Sequence, residues 1–301
     1  MAVHFLLSVS VSLLAGKGFT FPVEISLIAS EMTILVPSVI YILAKKLSFA
    51  DDLGFRRIKP GTVIMSILLS CLAAPITSFV NVLSQLFVSN TMVQMSDTLL
   101  GGSGAWLMIL GALYGPFCEE FVFRGVFFNR YEKYAGPMRA GLISSLFFAL
   151  AHMNVNQAGY AFVLGMMFSV INKAAGSVFP SIIMHVCING ANLLLMIIAS
   201  SMYAALGMEA DFAASAEAAR TSDVIYVMIG ATLVVAIICA LVSIPCIIWI
   251  SKHENNHDEF YDMFTKRHPR VMWLTFPTVL GILFVLIIMF GMDPLLKLFG
   301  K

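Results

Sequence analysis

Long apolar runs separated by short polar loops organise this chain. They fall near 22–44, 62–88, 104–129, 138–153, 158–173, 177–202, 224–250 and 271–292. The runs are continuous rather than alternating, which points to helices and away from the strands of a barrel. About 20 residues at 1.5 Å each match the hydrocarbon thickness of a bilayer, so each run is a candidate membrane span. The runs at 138–153 and 158–173 are the shortest. A further stretch at 5–15 is apolar and ends in Ala15-Gly16, as a signal-peptide core would, but no positive residue precedes it and a small-x-small cleavage pattern is poorly formed. It is read as a short first span or a partly inserted helix. The expected fold is all-α: a polytopic transmembrane helical bundle of 8–9 spans, forming a single integral membrane domain over residues 1–301.

The loops test this reading independently. Lys45, Lys46, Arg56, Arg57, Lys59, Arg130, Lys133, Arg139, Lys173, Lys252, Lys266, Arg267 and Arg270 fall on one set of alternating loops. Only Lys17, Arg220, Lys297 and Lys301 fall on the other. Thirteen cations against four satisfy the positive-inside rule with the basic loops cytoplasmic. Composition agrees: 59% of residues are hydrophobic and 12% charged, against about 25% charged in soluble domains. A net charge of +1 offers no field to nucleic acid, which is excluded as a partner. Cys71, Cys118, Cys187, Cys239 and Cys246 lie in or beside apolar runs without CxxC spacing, so neither a disulfide framework nor a zinc site made from them is expected.

Polar residues that the bilayer should have excluded carry the functional information. Three groups stand out. Glu119-Glu120-Phe-Val-Phe-Arg124 closes the run at 104–129. Glu120 and Arg124, four apart, share a helix face and can pair; Glu119 points about 100° away and is left for another helix or a water-filled cavity. Phe148-Ala-Leu-Ala-His152 ends the next run, and His185-Val-Cys-Ile-Asn189 again places two polar groups on one face. A buried carboxylate beside an imidazole is a general base for water. An imidazole and an amide can donate to the oxyanion that forms when water attacks a carbonyl. Together the residues read as amide hydrolysis by activated water, with Cys118 a nucleophile candidate to be excluded. Glu31, also inside a run, is read as a helix-packing or cavity residue, with a proton relay as the second reading.

The order EExxxR, FxxxH, HxxxN resembles the three-motif signature of the CPBP family, which includes type II CAAX prenyl endopeptidases and bacteriocin-processing or self-immunity proteins. The likeness covers roughly 104–205. By this resemblance Glu119 and His152 activate water, His185 and Asn189 form the oxyanion hole, and Glu120, Arg124 and Phe148 support the site. The implied partners are the lipid bilayer and a peptide or protein substrate, either a prenylated CAAX tail or a leader peptide. No cofactor is expected, although two histidines and one glutamate are also the minimum zinc set. A bacterial plasma membrane is the expected location. Asn156 departs from the family, which often has a small residue there; a tighter cavity mouth or altered substrate choice is expected.

Two other classes stay open: a non-catalytic scaffold or immunity protein that binds a membrane partner, and a proton-coupled transporter using Glu119, Glu120 and His152. One decoy needs naming. His253-Glu254-Asn-Asn-His257 matches HExxH, but that zincin motif must lie on one helix. Two asparagines in its middle favour a solvated loop.

Overall fold

The computed structural model describes residues 22–101, 103–207 and 211–266, together with the helical residues 279, 281–283, 285–287 and 289–290. Helices are the only regular elements among them. Six are long and apolar enough to cross a membrane: α1 Val23–Lys45, α2 Pro60–Ser84, α3 Gly104–Ala135, α5 Val155–Ala175, α6 Phe179–Ala205 and α8 Val224–His253. Between α3 and α5 lies the shorter α4, Pro137–Ala151. Two amphipathic helices, α7 Phe212–Arg220 and α9 His257–Thr265, occupy the longer polar segments. The chain is an integral membrane protein.

Against the 8–9 spans expected for the whole chain, six are found among the described residues. The stretch at 5–15 lies outside them, and so does much of 271–292. At 15 residues, α4 is about 22 Å long, too short to cross unaided. It is mostly buried, and it runs from the Arg130 end of the bundle to the opposite end, supported on both sides by protein. By contrast α8 is apolar all round and leaves Val227 and Leu241 more than 60% exposed to the surroundings. Lipid is the solvent such a helix requires.

The basic loops gather at one end and are tied to each other. Asp52 accepts from Lys133 at 2.5 Å and from Arg130 at 3.3 Å. Lys173 pairs with Glu132 at 2.6 Å, and Ser177 Oγ donates to the carbonyl of Arg56 at 2.6 Å. The HExxH decoy belongs to this junction and is not a helix motif. His253 ends α8, Asn255 takes a left-handed φ of 59°, and His257 starts α9. Glu254 accepts from the backbone N–H of Lys59 at 2.9 Å and from the Thr62 hydroxyl. Asn256 donates to the Lys173 carbonyl at 2.7 Å. Instead of the expected solvated loop, the segment is a knot joining three loops.

At the opposite end Asn156 is the centre. Its amide donates to Asn81 Oδ1 at 2.7 Å and Ser84 Oγ at 2.9 Å, and its carbonyl oxygen accepts from the Thr91 N–H at 3.1 Å. These bonds join the start of α5 to the end of α2 and to the short helix that follows. Only 1% of Asn156 is exposed. A buried amide needs such partners, so the residue is a helix clamp.

Helix α3 departs most from a plain span. It extends to Ala135, and two π-helical segments, Met108–Tyr114 and Phe121–Phe128, flank the α-helical turn Gly115–Glu120. Pro116 gives a local cause for the first. It has no N–H, and its ring disfavours the regular ladder one turn before it. The wider i→i+5 pattern is seen where the Gly115 N–H donates to the Leu110 carbonyl.

Candidate active site

The two carboxylates sit at the centre of α3, between its π-helical segments. Glu120 and Arg124 are both fully buried, and Arg124 Nη1 donates to Glu120 Oε1 at 3.0 Å. The i,i+4 pairing expected from sequence is thus formed. His185 of α6 enters the same cluster: Nδ1 lies 3.0 Å from Glu120 Oε1, and Nε2 lies 3.5 Å from Glu119 Oε2. Glu119 thus faces another helix, as its position in the sequence led one to expect. Its side chain is 17% exposed while that of Glu120 is closed off, so the two adjacent carboxylates have different surroundings.

The guanidinium of Arg124 is held by faces as well as by charge. Its central carbon is 4.4 Å from the ring centroid of Phe148 and 5.1 Å from that of Phe168, a cation–π arrangement strengthened by burial. Gly165 gives it room: a Cβ there would lie 2.7 Å from Arg124 Nη2 and 2.9 Å from Ser145 Cβ. Phe148 also meets His152 edge-on at 5.0 Å and His185 at 5.7 Å. One ring thereby touches three motif residues from three helices.

His152 caps α4. Its Nδ1 is 2.9 Å from the Phe148 carbonyl. A carbonyl only accepts, so Nδ1 carries the hydrogen and, in the neutral ring, Nε2 keeps the lone pair. Asn189, one turn beyond His185, donates Nδ2 to the Gly111 carbonyl at 3.3 Å. In a π-helical turn that carbonyl would receive the N–H of the residue five places on, which is Pro116 and has none. The Asn189 amide occupies the vacant position.

Several groups near Glu119 carry no sequence motif. Glu31 of α1, Tyr114 and Cys118 of α3 form a connected cluster, and Tyr160 of α5 lies within electrostatic reach of Glu119. Glu31 Oε2, Ser145 Oγ, Glu120 Oε2 and Arg124 Nε and Nη2 are buried without a hydrogen-bond partner. Depth in an apolar run was the available signal for Glu31; nothing in the spacing pointed to Tyr160.

A cavity of about 380 Å³ opens at the basic end, lined by Asp52, Glu132, Lys133, Asn172 and Lys173, with Arg124 the site residue in its wall. No group of three or more His, Cys, Asp or Glu side chains among the described residues is arranged to hold a metal ion. Both nitrogens of His185 face carboxylates.

No curated protein and no solved structure matches the chain. The segment holding all three motifs does have a relative among family models, and it agrees with the family that the motifs resemble. Residues 101–191 match the family model described as type II CAAX prenyl endopeptidase Rce1-like, a protease family.

Proposed function

We propose that the chain is an intramembrane endopeptidase in which Glu119 and His152 activate a water molecule and His185 and Asn189 stabilise the oxyanion. The observation that carries this reading is the asymmetry of the paired carboxylates. Arg124 engages Glu120 at 3.0 Å, while Glu119 keeps its exposure and faces His185 Nε2. A carboxylate outside the arginine pair, bordered by imidazole, is suited to take a proton from water.

The steps follow from the donors and acceptors. Water gives a proton to Glu119, with His152 Nε2 as the second acceptor that orients it. The oxygen adds to the peptide carbonyl. The donors assigned to the developing oxyanion are the remaining Asn189 N–H and His185 Nε2, which donates when the ring is doubly protonated with Nδ1–H held by Glu120. Collapse breaks the C–N bond and returns the proton to the leaving nitrogen. Glu120 and Arg124 hold the helix turn and the His185 ring.

The substrate is a peptide presented in or at the bilayer, a prenylated CAAX tail or a leader peptide. The basic end faces the cytoplasm of a bacterial plasma membrane under the positive-inside rule, and residues 1–301 act as one membrane domain whose catalytic core is about 104–205. Purified protein in detergent should cleave at least one member of a panel containing both peptide classes. Glu119→Ala should lower kcat by about 10³-fold or more and leave the thermal unfolding midpoint near that of wild type. Cleavage that persists in a chelator supports the metal-free mechanism; loss there overturns it. Folded wild type that cleaves nothing overturns the enzyme reading.

A further inference from the structure

Helix α1 brings a third carboxyl to the site. Glu31 Oε2 is buried without a hydrogen-bond partner. Its other oxygen, Oε1, lies 3.8 Å from where a Cβ on Gly115 would stand. Gly115 and Glu119 are four apart in the α-helical turn Gly115–Glu120, so they share one face of α3. Glu31 therefore approaches that face beside Glu119, and the two carboxyls interact electrostatically. The groups facing Glu31 from α3 are Tyr114, Cys118 and Glu119. Facing Glu119 from other helices are His185 on α6 and Tyr160 on α5. Arg124, the cation of the cluster, pairs with Glu120.

We infer that Glu31 is a positioning residue that shares one proton with Glu119 through the catalytic cycle. This rests on the proposed hydrolytic role of Glu119. Two neighbouring carboxyls with one proton between them avoid placing two like charges together. While the proton resides on Glu31, Glu119 is a carboxylate free to take a proton from water. When Glu119 has passed that proton to the leaving nitrogen, the pair again holds a single proton, and the cycle closes without net gain or loss. Such a pair is active only in its singly protonated form, which gives a bell-shaped pH profile with two coupled limbs.

Two measurements test this. The first is kcat against pH for wild type, Glu31→Gln and Glu31→Asp. Glu31→Gln, a neutral stand-in for the protonated carboxyl, should keep kcat at the optimum within about 10-fold, leave KM unchanged and remove the alkaline limb; Glu31→Asp should keep both limbs. A Glu31→Gln profile that overlays wild type overturns the proposal, since a packing role predicts that overlay. The second measurement does not depend on cleavage: infrared difference spectroscopy of the carboxylic-acid C=O band during a pH titration of the purified protein. The band should retreat to the acid side in Glu31→Gln, where Glu119 alone takes the proton, and shift in Glu119→Gln. A band indifferent to Glu119→Gln overturns proton sharing even in a protein that cleaves nothing. Should Glu31→Gln not fold, the Glu31→Asp and Glu119→Gln spectra still decide.

Discussion

Two buried polar regions of this bundle have opposite hydrogen-bond economies. At the non-basic end, Asn156 uses both amide hydrogens and its carbonyl oxygen on Asn81, Ser84 and Thr91. Around Glu119 and Glu120, five polar atoms are buried without protein partners, on Glu31, Glu120, Arg124 and Ser145. An unsatisfied buried group costs about 1–3 kcal/mol, so the second region is held in place by packing and charge against its own polar preference. The clamp is built to hold helices together. The cluster on α3 leaves polar atoms unpaired within the protein itself, which suits the proposed hydrolytic role.

The contrast breaks first at Arg124. Arg124→Met leaves the carboxylate of Glu120 buried without its cation and should destabilise the protein by about 3–5 kcal/mol, read as a lowered thermal midpoint. Glu120→Gln in the same chain should recover part of that loss. Recovery that fails would mean the Phe148 and Phe168 faces, rather than charge, are what Arg124 provides. Next in size is the pair of asparagines. Asn156→Ala should cost about 1–3 kcal/mol of stability with kcat per folded molecule unchanged. Asn189→Ala should lower kcat by about 10²-fold with a smaller stability change. Equal behaviour of the two would erase the distinction between clamp and site.

The smallest effect belongs to the basic end. The Lys133 hydrogen bond, with Lys133 and Arg130 charge, holds the Asp52 carboxyl below the usual carboxylate range. A lowered folded-state value means the contribution is present above the ordinary aspartate value of about 3.9 and fades as pH falls through the folded one. Acid unfolding of wild type and Asp52→Asn should accordingly differ above about pH 4 and converge at more acid values. Curves that differ most at the acid end would contradict the pairing.

Much of this was legible along the chain because membrane proteins write it in hydropathy. Seven of the apolar runs are helices at nearly the expected places, and EExxxR spacing alone placed the Glu120–Arg124 pair. What hydropathy could not show was length against thickness: α4 reads as a span yet has 15 residues. Periodicity assumes 3.6 residues per turn, so the π-helical segments of α3 and the angular placement of Glu119 against His185 were out of reach. Asn156, expected to tune the cavity mouth, is a clamp because its partners come from 65 to 75 positions away. The HExxH match failed for a backbone reason, the left-handed Asn255.

Pro116 and Asn189 together have an evolutionary and practical consequence. A backbone vacancy in one helix is filled by the side chain that the proposed reaction needs from another. Substituting Asn189 therefore alters two things at once, a donor and a join, and single-mutant kinetics will mix them. Pro116→Ala supplies a competing N–H for the Gly111 carbonyl and would set the amide free to rotate. The double mutant cycle across positions 116 and 189 separates the two contributions, and the residues have reason to change together or not at all.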